Sequence, residues 1–264
     1  MTRPLIGITG EMVAAGWGDR VREAVLLPAS YAVALQRARC VPVVLPPAPH
    51  GAAGLAARLD GLLFSDGGDI DPRRGGGGQP GAAEAGGGGA AEPDGGAGAA
   101  VPDLVRDAGE FALMRAAIAA RVPVLAIGRG MRVLNAVRGG SVTDRPLPAA
   151  DGAAMPATSA MSATSAMSAD RELRIGPGSR LGRALGPSLR TAAAAWPSRR
   201  HQDVDRLGGG LCAVAWTADD AVAAVELTAH PFAIGLAWHP EQGDDLRIFE
   251  ELRDAAAAGH REAA

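Results

Sequence analysis

The segment Val122-Pro-Val-Leu-Ala-Ile-Gly-Arg-Gly-Met131 has the build of a nucleophile elbow without a nucleophile in it. An apolar run of strand type meets a turn of small residues, and Met131, Val133, Leu134 and Val137 then recur at helical spacing. Such a turn lifts one side chain to the end of a parallel sheet and aims the backbone N–H groups of the next helix at any oxyanion formed there. The lifted position is Gly128. A second segment with chemical potential is Trp238-His239-Pro240-Glu241, an imidazole followed two residues later by a carboxylate. Taken alone, it reads as a loop histidine. Beside a nucleophile, the same pair could supply a base and the carboxylate that fixes its tautomer. A third segment, Leu62-Leu63-Phe64-Ser65-Asp66-Gly67-Gly68-Asp69-Ile70-Asp71-Pro72, ends an apolar run in a glycine pair, where a backbone N–H can approach a ligand with no Cβ in the way. Taken alone, it is an ordinary acidic turn.

Together these segments resemble the γ-glutamyl-γ-aminobutyrate hydrolase family of class I glutamine amidotransferase-like proteins. That family's elbow reads roughly G-I-C-R-G-M-Q-L-L-N, against Ala126-Ile-Gly-Arg-Gly-Met-Arg-Val-Leu-Asn135 here, so glycine stands at the cysteine position. The resemblance implies that His239 is the general base and Glu241 its orienting carboxylate. It also implies that Gly67 and Gly68 belong to the oxyanion loop, family form L-L-L-P-G-G-G-D-V-D-P, and it adds Arg129, His201 and Gln202 to the oxyanion- and substrate-binding set. Ser65 and Asp66 depart from that loop, and an inward-pointing Asp66 would oppose an oxyanion. Arg106-Asp107 with Glu110 is similar to the family's R-D-x-x-E. Ser198 with His201-Gln202 is similar to its N-S-x-H-H-Q, with Pro197 and Arg200 departing. Tyr31-Ala-Val-Ala-Leu-Gln-Arg-Ala-Arg39-Cys40 stands for Y-x-x-A-V-x-x-A-G-G.

The implied activity is hydrolysis of γ-glutamyl amides, and the vacant position 128 leads us to expect a degenerate member, a pseudoenzyme without thiol-dependent hydrolysis. The alternative is an active hydrolase using an unassigned nucleophile or an activated water. A glutaminase subunit feeding ammonia to a synthetase would also need the thiol. A small γ-glutamyl compound is the expected ligand, and an oligomer of identical chains stays open.

Composition narrows the other classes. The 264 residues are 47% hydrophobic, enough for a sizeable core at the upper end of one α/β domain, so we expect a single domain over 1–264. The net charge of −3 and pI near 6.0 imply neither nucleic acid nor an anionic membrane as partner. All 26 basic residues are arginine, which reads as coding bias. Cys40 and Cys212 are expected to be buried free thiols. No membrane span or signal peptide is evident, and the cytoplasm is the default. The five histidines are scattered with no zinc-type spacing, so no metal site and no cofactor are expected.

The elements that must position these residues alternate along the chain. Strands are expected at Leu5 to Thr9, Val41 to Leu45 and Gly61 to Phe64, with helices around Tyr31 to Ala38, Gly51 to Arg58 and Glu110 to Ala120. Further strand-like runs follow at Leu173 to Ile175, Leu211 to Trp216, Ala221 to Leu227 and Phe232 to Trp238, then a closing helix from Asp244 to about Ala256. This is an α/β pattern: a mostly parallel central sheet with helices on both faces, flavodoxin-like, whose ligands sit beyond the carboxyl ends of the strands. Residues 75–100 and 149–169 break it with low-complexity composition, the second carrying the duplication Met155-Pro-Ala-Thr-Ser-Ala and Met161-Ser-Ala-Thr-Ser-Ala. Both are expected to be flexible loops.

Overall fold

A computed structural model describes residues 3–74, 103–144, 171–192, 196 and 202–262. The expected loops at 75–100 and 149–169, and His201, lie outside the described residues.

Nine strands form the central sheet. The parallel half runs β4 (Val41–Leu45), β1 (Leu5–Thr9), β5 (Gly61–Phe64), β6 (Val124–Ile127) and β13 (Ala233–Leu236). Beyond β13 the sheet turns antiparallel through β12 (Val222–Leu227), β11 (Leu211–Trp216), β8 (Arg171–Ile175) and β9 (Ser188–Thr191). The buried central strands are near-continuous apolar runs because helices cover both faces. Successive residues serve opposite faces, as the period of two requires. Ile6, Ile8, Leu63, Leu125, Ile127 and Ile234 pack on one side, under α1 (Ala29–Arg37), α5 (Arg180–Leu185) and α6 (Arg247–Glu262). Leu62, Phe64, Val124 and Ala126 pack on the other, under α2 (Ala52–Ala56), α3 (Leu104–Ala119) and α4 (Arg129–Val137).

Two ribbons stand apart from this sheet: β2 (Glu11–Trp17) with β3 (Arg20–Leu26), and β7 (Ser141–Asp144) with β10 (Gln202–Arg206). Neither is expected from hydrophobic periodicity. The first turns at Gly18, whose φ of +65° suits glycine, followed by Asp19. Helix α3 begins at Leu104, six residues before the sequence suggests, on an Asp103 cap whose carboxylate accepts the N–H groups of Val105 and Arg106. Both cysteines are free. Cys40 is buried as expected, whereas Cys212 is exposed, because it alternates outward on β11.

Candidate active site

Three adjacent parallel strands end at one place. In the order β5, β6, β13, they are followed by Asp66, Gly128 and His239, so position 128 lies between the other two. Gly128 has φ +55° and ψ −109°, the sharp strand-to-helix turn of an elbow, and Arg129 opens α4 immediately after it. The turn is held by the Gly128 N–H donating to the Leu236 carbonyl at 2.8 Å. Gly130 lets α4 sit down on β5, since a Cβ there would stand 2.6 Å from the Phe64 carbonyl oxygen.

With no side chain at 128, its two neighbours meet across it. Asp66 Oδ1 accepts the Arg129 backbone N–H at 2.6 Å, and Oδ2 lies 3.3 Å from His239 Nε2. On the far side of the ring, Nδ1 is 2.7 Å from Glu241 Oε1. Arg132 adds its guanidinium 3.7 Å from Asp66 Oδ1. A Cβ on residue 128 would overlap the Asp66 carboxylate and approach its Cβ to 2.9 Å. The carboxylate thus fills the space in which the side chain of residue 128 would begin.

This arrangement favours the doubly protonated ring. Each imidazole nitrogen faces a carboxylate oxygen, and both contacts are favourable only when both nitrogens carry a proton. Burial by itself would lower the His239 pKa, but hydrogen bonds to Asp66 and Glu241, then their charges, outweigh it and raise it to about 10. Burial would raise Asp66, yet the hydrogen bond and charge of His239, the Arg132 charge and the Arg129 N–H hold it far below the usual carboxylate range. Cysteine–histidine pairs set thiolate against imidazolium. Here the partner of the His239 Nε2 is the Asp66 carboxylate.

Tyr31, on α1, closes the site from above: its phenolic oxygen accepts the Asp66 N–H at 3.1 Å. Burial and then the Glu241 and Asp66 charges push its pKa well up, so the phenol stays protonated. A cavity of about 200 Å³ opens beside Asp66, lined by Glu11, Leu26, Tyr31, Gly67, His239 and Glu241 among others. Gly128 faces a separate, much smaller cleft with Arg132, Gln202 and Val222.

The remaining candidate residues divide by what they touch. Gly67 packs on Arg106, whose guanidinium carbon a Cβ would approach to 2.8 Å, and Gly68 faces open space. The Arg129 side chain points away from the site and is fully buried: Nη2 donates to Asp107 at 2.6 Å, Nε to Glu110 at 2.9 Å, and Nη1 to the carbonyls of Gly68 and Asp69. Only its backbone N–H faces the Asp66 carboxylate over Gly128. Arg106 is also buried, joining Glu110 to Glu11 on the β2–β3 ribbon and donating to the Asp66 carbonyl. Gln202 grips Ile70 with its amide, accepting the Ile70 N–H at 3.0 Å and donating to its carbonyl at 2.9 Å. Arg129, Arg106 and Gln202 therefore shape the loop that carries Asp66 from three sides. The inward aim of Asp66 and the approach of Arg132 are the features that sequence alone left undecided. Arg132 was visible as a change from the glutamine of the resembling elbow. Among the described residues, no cluster of His, Cys, Asp and Glu could hold a metal ion, and no helix is long and apolar enough to cross a membrane.

A doubly wound sheet with an elbow beyond β6 and a histidine–carboxylate pair beyond β13 defines a class I glutamine amidotransferase-like protein. The chain belongs to the peptidase C26 family, whose model matches residues 4–241. It is 33% identical over 260 residues to a Mycobacterium tuberculosis protein named "Putative glutamine amidotransferase Rv2859c", covering 97% of this chain and 76% of that one. It is 28% identical over 220 residues to the Shigella flexneri γ-glutamyl-γ-aminobutyrate hydrolase, covering 81% and 78%. The fold is similar to that of a glutamine amidotransferase from Methylobacillus flagellatus, with a TM-score of 0.52 at 17% identity, over 91% of this chain and 71% of that one.

Proposed function

We propose that this chain is a member of the γ-glutamyl hydrolase family that keeps the fold and the histidine–carboxylate pair but carries out no thiol-dependent hydrolysis. The observation that supports this most is the Asp66 carboxylate in the space over Gly128, hydrogen-bonded to the Arg129 N–H and facing His239. Three requirements of acyl transfer fail together. No thiol extends from position 128, the N–H that would receive an oxyanion already receives Asp66, and a doubly protonated His239 has no lone pair with which to take a proton. Loss of the nucleophile alone costs roughly a millionfold in turnover in a serine protease. A γ-glutamyl compound is the ligand class that the family relationship favours, and it would be held rather than cleaved.

Intact mass after incubation with an electrophilic glutamine analogue, with release of γ-aminobutyrate from its γ-glutamyl amide measured in parallel, tests this reading. The expected outcome is an unmodified protein and no release above the uncatalysed rate. Stoichiometric labelling at any serine or cysteine, or turnover, would refute it.

One observation favours a second reading, in which Asp66 itself attacks. Its carboxylate lies next to a protonated imidazole that could deliver a proton to a leaving amine. In that scheme an Asp66 oxygen bonds to the γ-carbonyl carbon, the C–N bond breaks as His239 protonates the amine, and water cleaves the resulting anhydride. The same labelling experiment discriminates: an adduct on Asp66 would favour this route. The strong stabilisation of the Asp66 charge argues against it, because a carboxylate held this firmly is a weak nucleophile.

A further inference from the structure

The Arg129 N–H, the Arg132 guanidinium and the His239 ring converge on one point from α4 and from the segment after β13. All three present positive charge or a donor, and a planar carboxylate satisfies them. The group that does so is not a bound molecule but the side chain of Asp66, delivered from the end of β5. The loop behind it is fixed: the Asp66 N–H donates to Tyr31 at 3.1 Å and the Asp66 carbonyl accepts from Arg106 at 2.8 Å. Its side chain is about a quarter exposed on the cavity side. Removing the carboxylate would leave two cationic groups and a helix-terminal N–H facing a vacancy, beside a residue with no side chain to close it.

We infer that the reaction centre is a binding site for small carboxylates which the chain fills with its own Asp66, a built-in ligand that excludes exogenous acyl and carboxylate groups from the space over Gly128. The adjoining 200 Å³ cavity, with Asp66 in its wall, stays open to ligands of the unaltered protein. This deepens the functional reading above, on which it rests for the identity of the centre.

The test uses formate as the probe, with chloride at equal ionic strength as control. Asp66→Ala removes the built-in carboxylate and leaves its backbone contacts in place. Formate should raise the melting temperature of Asp66→Ala saturably, as binding to the folded state requires, and should leave the parent unmoved. The His239 imidazole ¹⁵N resonances supply a second readout. Without formate they should titrate at lower pH than in the parent, and saturating formate should carry them back up. Asp66→Asn, which keeps the shape, should show no formate response. If Asp66→Ala does not fold, Asp66→Ser, which retains an acceptor for the Arg129 N–H, is measured the same way. A folded variant whose melting temperature and His239 resonances ignore formate would overturn the inference while leaving the absence of hydrolysis untouched. A parent that responds as strongly as the variant would do the same. Turnover of a γ-glutamyl amide by the parent would instead refute the functional reading.

Discussion

Position 128 is the middle of three strand ends, and what stands there decides whether Asp66 and His239 can meet. A side chain at this point would part Asp66 from His239, and glycine lets them bond across it. Residues 66 and 128 therefore form one spatial unit: the Asp66 carboxylate occupies the space in which a side chain at 128 would begin. Introducing a thiol at 128 alone should then fail, since a cysteine Cβ meets the Asp66 carboxylate, and a side chain at φ +55° carries strain on the order of 1–3 kcal/mol besides. Gly128→Cys by itself is expected to be less stable than the parent, with a thiol that titrates near the ordinary ~8.5. Gly128→Cys with Asp66→Gly should hold a thiol against the Arg129 N–H and a protonated His239, both of which favour thiolate. Iodoacetamide reactivity against pH checks this: the double variant should react with a midpoint below that of the single one, and equal midpoints would mean the elbow no longer addresses His239.

Among the elements, the loop after β5 depends on charges buried beneath it. Arg129 ties α4 to Asp107 and Glu110 of α3, and it caps the carbonyls of Gly68 and Asp69. Arg129→Met would leave two carboxylates buried beside a neutral side chain, a loss on the order of 3–5 kcal/mol, with the loop released as well. Urea denaturation measures this, and a loss under about 1 kcal/mol would show that the pairs contribute little. The same charges explain why the start of α3 was hidden in the sequence. Leu104 and Val105 in its first turn are exposed, while Arg106, Asp107 and Glu110 are buried, the reverse of the pattern that hydrophobic periodicity detects. The β2–β3 ribbon was missed for a related reason. Its strands carry apolar side chains toward solvent, Trp17 and Val21 among them, and only the Gly18-Asp19 pair signals a hairpin. Strands β1, β4, β5 and β11, by contrast, match their expected bounds to the residue, because each is a run of apolar side chains closed by a turn.

On the scale of the whole molecule, the fold was legible and the state of its site was not. Alternating strands and helices gave the doubly wound sheet and the elbow at a carboxyl end, since burial on both faces imposes that composition. Which way Asp66 points depends on a rotamer and on partners far from it in sequence, Arg129, Arg132 and His239, which no local pattern carries. The site in turn couples to global stability. His239 is raised above its unfolded value of ~6.5, so its contribution is complete below that pH and is lost as pH rises through about 10. Asp66 is depressed, so its contribution is complete above ~3.9 and is lost as pH falls below. The stability that the carboxylate–imidazolium pair contributes is thus complete from about pH 4 to 6.5 and declines toward the alkaline side, while the pair itself persists in the folded protein until His239 titrates near 10. The most direct test is the titration of the His239 imidazole by ¹⁵N NMR in the parent and in Asp66→Asn. We expect both ring nitrogens of the parent to be protonated at neutral pH, with a midpoint near 10 that falls by at least one pH unit when Asp66 loses its charge. A parent midpoint at or below ~6.5, or one indifferent to Asp66→Asn, would contradict the account in which Asp66 occupies the place of the nucleophile.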